Sequence, residues 1–397
     1  MNWLDQIFVT SGHQLVSLAP ASLQPAASVL LTIAAIMAVC GGCFALTTII
    51  ERKGLGRIQN RRGPNRVGPC GLFQPLADGL KMLTKEDIVP SSADKAAHFL
   101  APIILTVPIW LTFSLLPFGR NMAALNLDSG VLFFFALGSA TELAVFMAGW
   151  SSQNKYSVLG AMRAIAQMIS YEVPLALATV PVLMLAGSLS LVDIVQAQGG
   201  YALGFVPRWN VLTPWGLVGF GLFLTAATAE SNRSPFDLPE GESELIAGYL
   251  TEYSGFKYAL FFLGEYLGLF AVSGLGVTLF LGGWRAPLPI LEWAPSWFWF
   301  GGKFSALIFV FIWARGTLPR LRLDQLLNLA WKFLVPMALI NMLAAAIWHL
   351  SPQWGGVFTS PPMRWLLTAA MLVFPYVWLG RAVNPRAGAK REYAYAE

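Results

Sequence analysis

Between residues 229 and 248 the chain reads AESNRSPFDLPEGESELIAG, and five carboxylates, Glu230, Asp237, Glu240, Glu242 and Glu244, crowd this stretch. Asp237, Glu240 and Glu244 are spaced three and four apart, so a helix beginning at Pro239 would bring them to one face and put Glu242 on the other. Like charges at that spacing repel, and such a group tends to hold shared protons that titrate together. The chemistry this suits is taking up, storing and passing on protons. Three more acids stand inside long apolar stretches: Glu142, Glu172 and Glu265. A carboxylate at membrane depth must face the bundle interior, a partner or water. Pro174, two residues after Glu172, frees the carbonyl of Ser170 as a further acceptor and bends its helix. Arg163, Gln167 and Tyr171 recur every four residues on the same helix, a polar stripe leading inward. Any one such acid could serve a structural hydrogen bond, but three of them feeding an acidic loop favour a proton path.

The elements that must position these groups are membrane helices. Of 397 residues 56% are apolar, 13% aromatic and 12% charged, and the mean hydropathy is +0.60, which no soluble globular domain matches. Apolar runs of about 20 residues, enough to cross the hydrocarbon core, recur along the chain. They predict an all-α polytopic protein, a single transmembrane domain over 1–397, with spans at 26–50, 97–117, 129–149, 158–186, 214–229, 255–283, 299–315 and 330–350 and a ninth at 362–380. The 51–96 connection holds nine Lys/Arg, Arg52, Lys53, Arg57, Arg61, Arg62, Arg66, Lys81, Lys85 and Lys95, and is expected to be cytoplasmic, as is the acidic loop 230–254. Loops expected on the far side hold one each, Arg120, Arg208 and Arg285, which places the N-terminus outside. A ninth span returns the tail with Arg386, Lys390 and Arg391 to the positive side. The net charge of +5 thus reflects membrane orientation, and no nucleic-acid partner is expected.

Cys40, Cys43 and Cys70 and His13, His98 and His349 show no ligand spacing except Cys40-Gly-Gly-Cys43, which lies inside the first apolar helix. No metal, haem, flavin or iron-sulfur cluster is therefore expected on this chain. The first 50 residues hold no Lys or Arg, so a cleaved signal peptide is not expected.

Residues 51–87 read ERKGLGRIQNRRGPNRVGPCGLFQPLADGLKMLTKED. Gly63-Pro64 and Gly68-Pro69 punctuate a basic loop. Beyond it Leu72, Leu76, Leu80 and Leu83 make one stripe and Gln74, Asp78, Lys81 and Lys85 the opposite one, an amphipathic helix lying in the membrane interface. It reads either as a surface anchor or as a lipid-level doorway for an amphiphilic substrate. From Ala314 the chain continues ARGTLPRLRLDQLLNLAWKFLVP, whose Arg315, Arg320, Arg322 and Lys332 read mainly as interface anchors, a subset of them free to pair with the acids of 230–244.

Taken together, the 51–87 stretch, GWSSQNKYSVLGAMRAIAQMISYEVPL, AESNRSPFDLPEGESELIAGYLTEYSGFKYALFFLGEYL and RGTLPRLRLDQLLNLAWKF resemble the membrane subunit of respiratory complex I, NADH:quinone oxidoreductase. The resemblance runs from about residue 26 to 350. It implies eight core transmembrane helices, a place where the peripheral arm meets the membrane arm, and the membrane part of a quinone tunnel whose mouth lies between the first helix, the amphipathic helix and the sixth helix. Quinone is implied as bound substrate, with flavin and iron-sulfur clusters in other subunits. The implied acidic channel comprises Glu172, Glu230, Asp237, Glu240, Glu242, Glu244 and Glu265, with Glu142 matching an acid found in some members. Arg57, Gln59, Asp78 and Lys81 are the residues expected on the quinone side. Implied partners are the peripheral-arm quinone-site and iron-sulfur subunits, small membrane subunits, antiporter-like subunits and lipid, in a bacterial cell inner membrane. The chain would then be part of a proton-translocating enzyme without being catalytic alone. Rival readings are the related component of an energy-converting hydrogenase or formate hydrogenlyase, a purely structural anchor, and a stand-alone cation transporter. The residue types leave open which quinone is used, whether NADH or ferredoxin donates electrons, and whether sodium replaces protons. The 351–397 segment, with its extra helix and basic tail, departs from the eight-helix pattern.

Overall fold

The computed structural model describes residues 3–202, 204–237, 247–354 and 360–383. After a short N-terminal helix α1 (Ile7–Ser17), the chain runs through α2 (Gln24–Ile58), α3 (Gln74–Thr84), α4 (Lys95–Leu115), α5 (Gly130–Ser151) and α6 (Lys155–Ala186). It continues through α7 (Leu191–Ala197), α8 (Pro214–Glu230), α9 (Gly255–Phe280), α10 (Ser296–Thr317), α11 (Leu323–Leu329), α12 (Val335–Leu350) and α13 (Pro361–Val383). Among the described residues eight helical stretches are long and apolar enough to cross a membrane. α8, with 17 residues, also reaches the lower limit for a span. The all-α, multi-pass architecture expected from hydropathy is the one observed. Strand is confined, among the described residues, to an antiparallel pair Tyr201–Ala202 and Val206–Pro207 on the α7–α8 connection.

The helix termini follow local chemistry. Asp94 accepts from the amides of Ala96 at 3.1 Å and Ala97 at 3.4 Å to start α4, and Asn154 accepts from Tyr156 at 3.0 Å to start α6. α6 ends at Gly187, which takes φ +66° and returns its N–H to Leu183.

Two boundaries differ from the sequence reading. Hydropathy ends the first span at 50, yet α2 runs on to Ile58. The charges at 51–53 do not break it because Glu51 and Arg52 find tertiary partners, and after Pro25 in the first turn the next proline comes only at Pro64. The eighth apolar run begins within a π turn, Ala330–Leu334, that joins α11 to α12. Pro336 has no N–H to offer the carbonyl of Lys332, and the wider turn absorbs that mismatch.

The ninth helix, α13, packs on α12 and α8. Arg364 ties it down by donating to the carbonyl of Trp348 at 2.7 Å and to Ser351 Oγ at 2.9 Å, with its guanidinium 4.4 Å from the Trp348 ring centre.

Candidate functional site

The internal acids converge. Glu142 on α5 and Glu172 on α6 bring their carboxyl groups into hydrogen-bonding contact, and Ser139 Oγ donates to Glu172 Oε1. Glu230, at the C-terminus of α8, lies within electrostatic reach of both. Glu265 on α9 accepts from the Tyr249 hydroxyl at 3.0 Å. Glu230, Glu265 and Tyr249 share the lining of one cavity with Thr141, Ser231 and Asn232. Measured as space open to the centre of a water-sized sphere, it holds about 80 Å3. A water needs about 10–15 Å3 by that measure, so several fit. Glu142 Oε1 and Glu230 Oε2 are buried without a protein partner among the described residues, and both are acceptors that water would satisfy.

The polar stripe on α6 holds the beginning of the acidic loop. Gln167 Nε2 is shared among the carbonyls of Ala229 at 2.8 Å and Phe236 at 2.7 Å and Asn232 Oδ1 at 3.2 Å. One turn on, Tyr171 donates to the carbonyl of Leu326 at 2.9 Å. Asp237 stands half-buried just after this anchored segment; Glu240, Glu242 and Glu244 lie outside the described residues.

A second cavity, about 400 Å3, opens between α2, α3 and α9. Phe44, Tyr258, Phe262 and Leu263 give it an apolar wall, while Arg52, Asp78 and Lys81 supply charge. Arg52 pairs with Asp78 at 2.6 Å, and Gln74 steadies the other oxygen of that carboxylate at 3.2 Å. α3 turns Leu76, Leu80 and Leu83 outward, as an interfacial helix must. Of the four residues expected on the quinone side, Asp78 and Lys81 line this cavity. Arg57 and Gln59 stand exposed at the end of α2, where Gln59 Oε1 accepts from Arg61 at 2.7 Å.

Between the two cavities lies an ion cluster that the sequence reading does not single out. Glu51 on α2 accepts from Arg233 at 3.3 Å, from Arg315 of α10, and from the Tyr266 hydroxyl at 2.6 Å. The Arg233 guanidinium lies 4.0 Å from the centre of the Tyr266 ring. Both Glu51 and Arg233 are buried, so neither charge is tolerable without the other. Arg233 also feels Glu265 electrostatically.

Helix α9 is the common wall. Tyr258, Phe262 and Tyr266, spaced by four, look toward the lateral cavity and the ion cluster, whereas Gly264, Glu265 and Gly268 line the acid cavity. Gly264 permits this because a Cβ there would come within 2.5 Å of Leu105 Cδ2.

Fold and site define a polytopic helical membrane protein with an apolar-walled cavity, a buried ion cluster and a group of internal carboxylates. The family model described as NADH dehydrogenase matches residues 31–346, and the chain belongs to that family. It is 43% identical over 356 residues to the NADH-quinone oxidoreductase H subunit of Polaromonas naphthalenivorans (strain CJ2), covering 88% of this chain and 98% of that one. The corresponding H subunit of Dehalococcoides mccartyi (strain CBDB1) is 50% identical over 75% of this chain and 80% of its own length. That of Brevibacillus brevis is 47% identical over 79% and 90%. The family match stops before α13.

Proposed function

We infer that this chain is the quinone-binding membrane subunit of a proton-pumping NADH:quinone oxidoreductase, and that it transmits events at bound quinone to a proton path. Membership of the family supports the first half. The position of Arg233 carries the second, since one buried cation faces both Glu51, beside the lateral cavity, and Glu265, in the acid cavity.

The lateral cavity suits an amphiphile: an isoprenoid tail against Phe44, Phe262 and Leu263, a polar head near Arg52, Asp78 and Lys81. Reduction of a quinone to a quinol consumes two electrons and two protons, so charge and hydration change beside the Glu51–Arg233 cluster. A unit charge moved to within about 4 Å of another changes its energy by about 4 kcal/mol at an effective dielectric of about 20. Shifts of that size redistribute protons among Glu265, Glu230, Glu172 and Glu142, with the loop acids Asp237, Glu240, Glu242 and Glu244 as the remaining members of the path. The peripheral-arm and antiporter-like subunits would supply electrons and translocate protons, in a bacterial inner membrane with the acidic loop on the cytoplasmic side.

The test uses membranes from cells whose gene for this chain is replaced by wild type or by Glu172→Gln. Wild type restores quinone-dependent NADH oxidation and NADH-driven proton uptake into inverted vesicles, and Glu172→Gln gives both at a several-fold lower level. Full proton uptake by the variant would sink the proton-path assignment, and quinone-dependent NADH oxidation in cells lacking the gene would sink the whole reading.

A further inference from the structure

The end of the bundle remote from the acidic loop holds another polar cavity, about 220 Å3, walled by Asp5, Arg120, Arg285, Glu292, Ser296 and Trp299. It sits past the C-terminal ends of α4 and α9 and at the start of α10, hence at the membrane edge. Several of its polar groups are already committed. Asp5 accepts from the Ser296 amide at 2.7 Å and from its hydroxyl, capping α10 where Pro295 offers no side-chain cap. Arg120 donates its backbone N–H to Ser296 Oγ at 2.9 Å and holds its side chain 4.0 Å from Asp5. Glu292 accepts from the Tyr201 hydroxyl at 2.9 Å, and burial followed by that bond pushes Tyr201 up to about 12, so it stays a donor.

Two donors are left over. Arg285 Nε and Trp299 Nε1 are buried and have no acceptor, and the Arg285 guanidinium makes no hydrogen bond or ion pair among the described residues. It is nevertheless held in place. Lys303 Nζ fixes the preceding turn by donating to the carbonyls of Leu281, Gly283 and Arg285 at 2.7, 2.9 and 2.7 Å. The guanidinium itself rests on Gly199, where a Cβ would come within 2.7 Å of Nη2. Arg285 and Trp299 line the same cavity, and a guanidinium fork and an indole N–H on one wall suit an oxyanion such as a phosphate. Beside the cavity Leu288, Ile290 and Phe298 are exposed, an apolar rim against which acyl chains can lie. Glu292 supplies a carboxylate that would repel a second negative charge and attract an amine.

We propose that this cavity seats the headgroup of an amine-bearing phospholipid, with its phosphate on Arg285, Trp299 and Arg120 and its ammonium toward Glu292. Free inorganic phosphate shares the oxyanion chemistry but not the amine or the acyl chains.

The test embeds the full chain, in its native membrane assembly, in liposomes containing a phosphatidylethanolamine with a photoactivatable acyl group, then maps the label after irradiation. Wild type is labelled across residues 288–298, and unlabelled phosphatidylethanolamine competes while millimolar inorganic phosphate does not. Arg285→Gln lowers that label about tenfold, the loss expected for one charge-assisted hydrogen bond, and leaves labelling of the outer face of α13 at Phe374 and Trp378 unchanged. Glu292→Gln lowers labelling by the amine lipid while sparing a phosphatidylglycerol probe. The proposal is overturned by absent labelling in wild type, by competition from inorganic phosphate, or by undiminished labelling in Arg285→Gln. Should Arg285→Gln also lose the α13 label and so fail to fold, Trp299→Phe decides, because it keeps the ring and drops only the N–H. Full labelling in that variant equally overturns the proposal.

Discussion

Glu142 and Glu172, carried by adjacent helices α5 and α6, meet carboxyl to carboxyl, with Ser139 donating to Glu172. A hydrogen bond between two carboxyl groups requires a proton on one of them, so a relay through this pair would depend on an exchangeable proton held between the two side chains. Gln at either position keeps the shape and the polar contact but removes the exchangeable group. Glu142→Gln and Glu172→Gln should therefore each lower NADH-driven proton uptake several-fold, with quinone-dependent NADH oxidation falling alongside. Reduction of a water-soluble artificial acceptor should be untouched. Fluorescence quenching in inverted vesicles reads the first, absorbance at the NADH band the others. Normal uptake in both variants would rule the pair out as a relay.

The Glu51–Arg233 pair makes a thermodynamic prediction. Both side chains are buried, and removing one partner of a buried pair costs on the order of 3–5 kcal/mol, toward the low end here because Arg315 and Tyr266 still hold Glu51. Arg233→Leu should thus destabilise the chain by about that much, seen as a lower thermal unfolding midpoint of the detergent-solubilised assembly. Glu51→Leu with Arg233→Leu should recover most of the loss, since Arg315 is about a third exposed and can turn to water. A double variant no more stable than the single one would show that the cluster matters to the fold by packing and not by charge.

What could be read from the sequence follows the range of the interactions. The spans were legible because apolar runs of that length have few alternatives, and the acids within them because a lone carboxylate among leucines stands out. The ion cluster was not: Glu51, Arg233, Tyr266 and Arg315 are scattered along the chain, and nothing local to any of them announces the others. A usable signal did exist, a glutamate two turns from the end of an apolar helix in ERK and an arginine amid carboxylates in SNRSPF. The lateral cavity was half legible. Phe44, Thr48 and Arg52 recur by four on α2 and face it, but Arg57, five residues further on, is rotated about 140° around the helix and points away. The short α7 and the strand pair 201–207 went unseen, being too brief to leave a periodic pattern.

Gly160 on α6 tests whether the turn bearing Tyr249 must sit where it does. A Cβ on residue 160 would come within 2.6 Å of Gly248 Cα and 2.8 Å of its carbonyl carbon, backbone atoms that cannot rotate aside. Gly160→Ala should push the Gly248–Leu250 turn outward and draw the Tyr249 hydroxyl off Glu265. Proton uptake per NADH oxidised should drop several-fold, whereas Gly221→Ala, at a position with nothing within 4 Å of an added Cβ, should behave as wild type. Equal coupling in the two variants would mean that the Tyr249–Glu265 contact is dispensable.

Gly79 offers a way to close the lateral cavity without touching its charges. It lines the cavity on α3, and an added Cβ there meets nothing within 4 Å, so a side chain can enter the space without displacing backbone. Glycine is also a poor helix residue, costing about 1 kcal/mol relative to alanine, so its replacement should not unfold α3. Gly79→Phe should narrow the cavity that Arg52, Asp78, Phe262 and Leu263 line. If quinone passes here, the long isoprenoid tail is obstructed more than a short one. The KM for a long-tailed quinone should rise several-fold while that for a short-tailed analogue changes little, and turnover with a water-soluble artificial acceptor should stay at the wild-type rate. Steady-state kinetics with the two quinones in the same liposomes separates these outcomes. An unchanged KM for the long-tailed substrate, in a variant shown by its thermal midpoint to be folded, would mean that quinone reaches its site by another route.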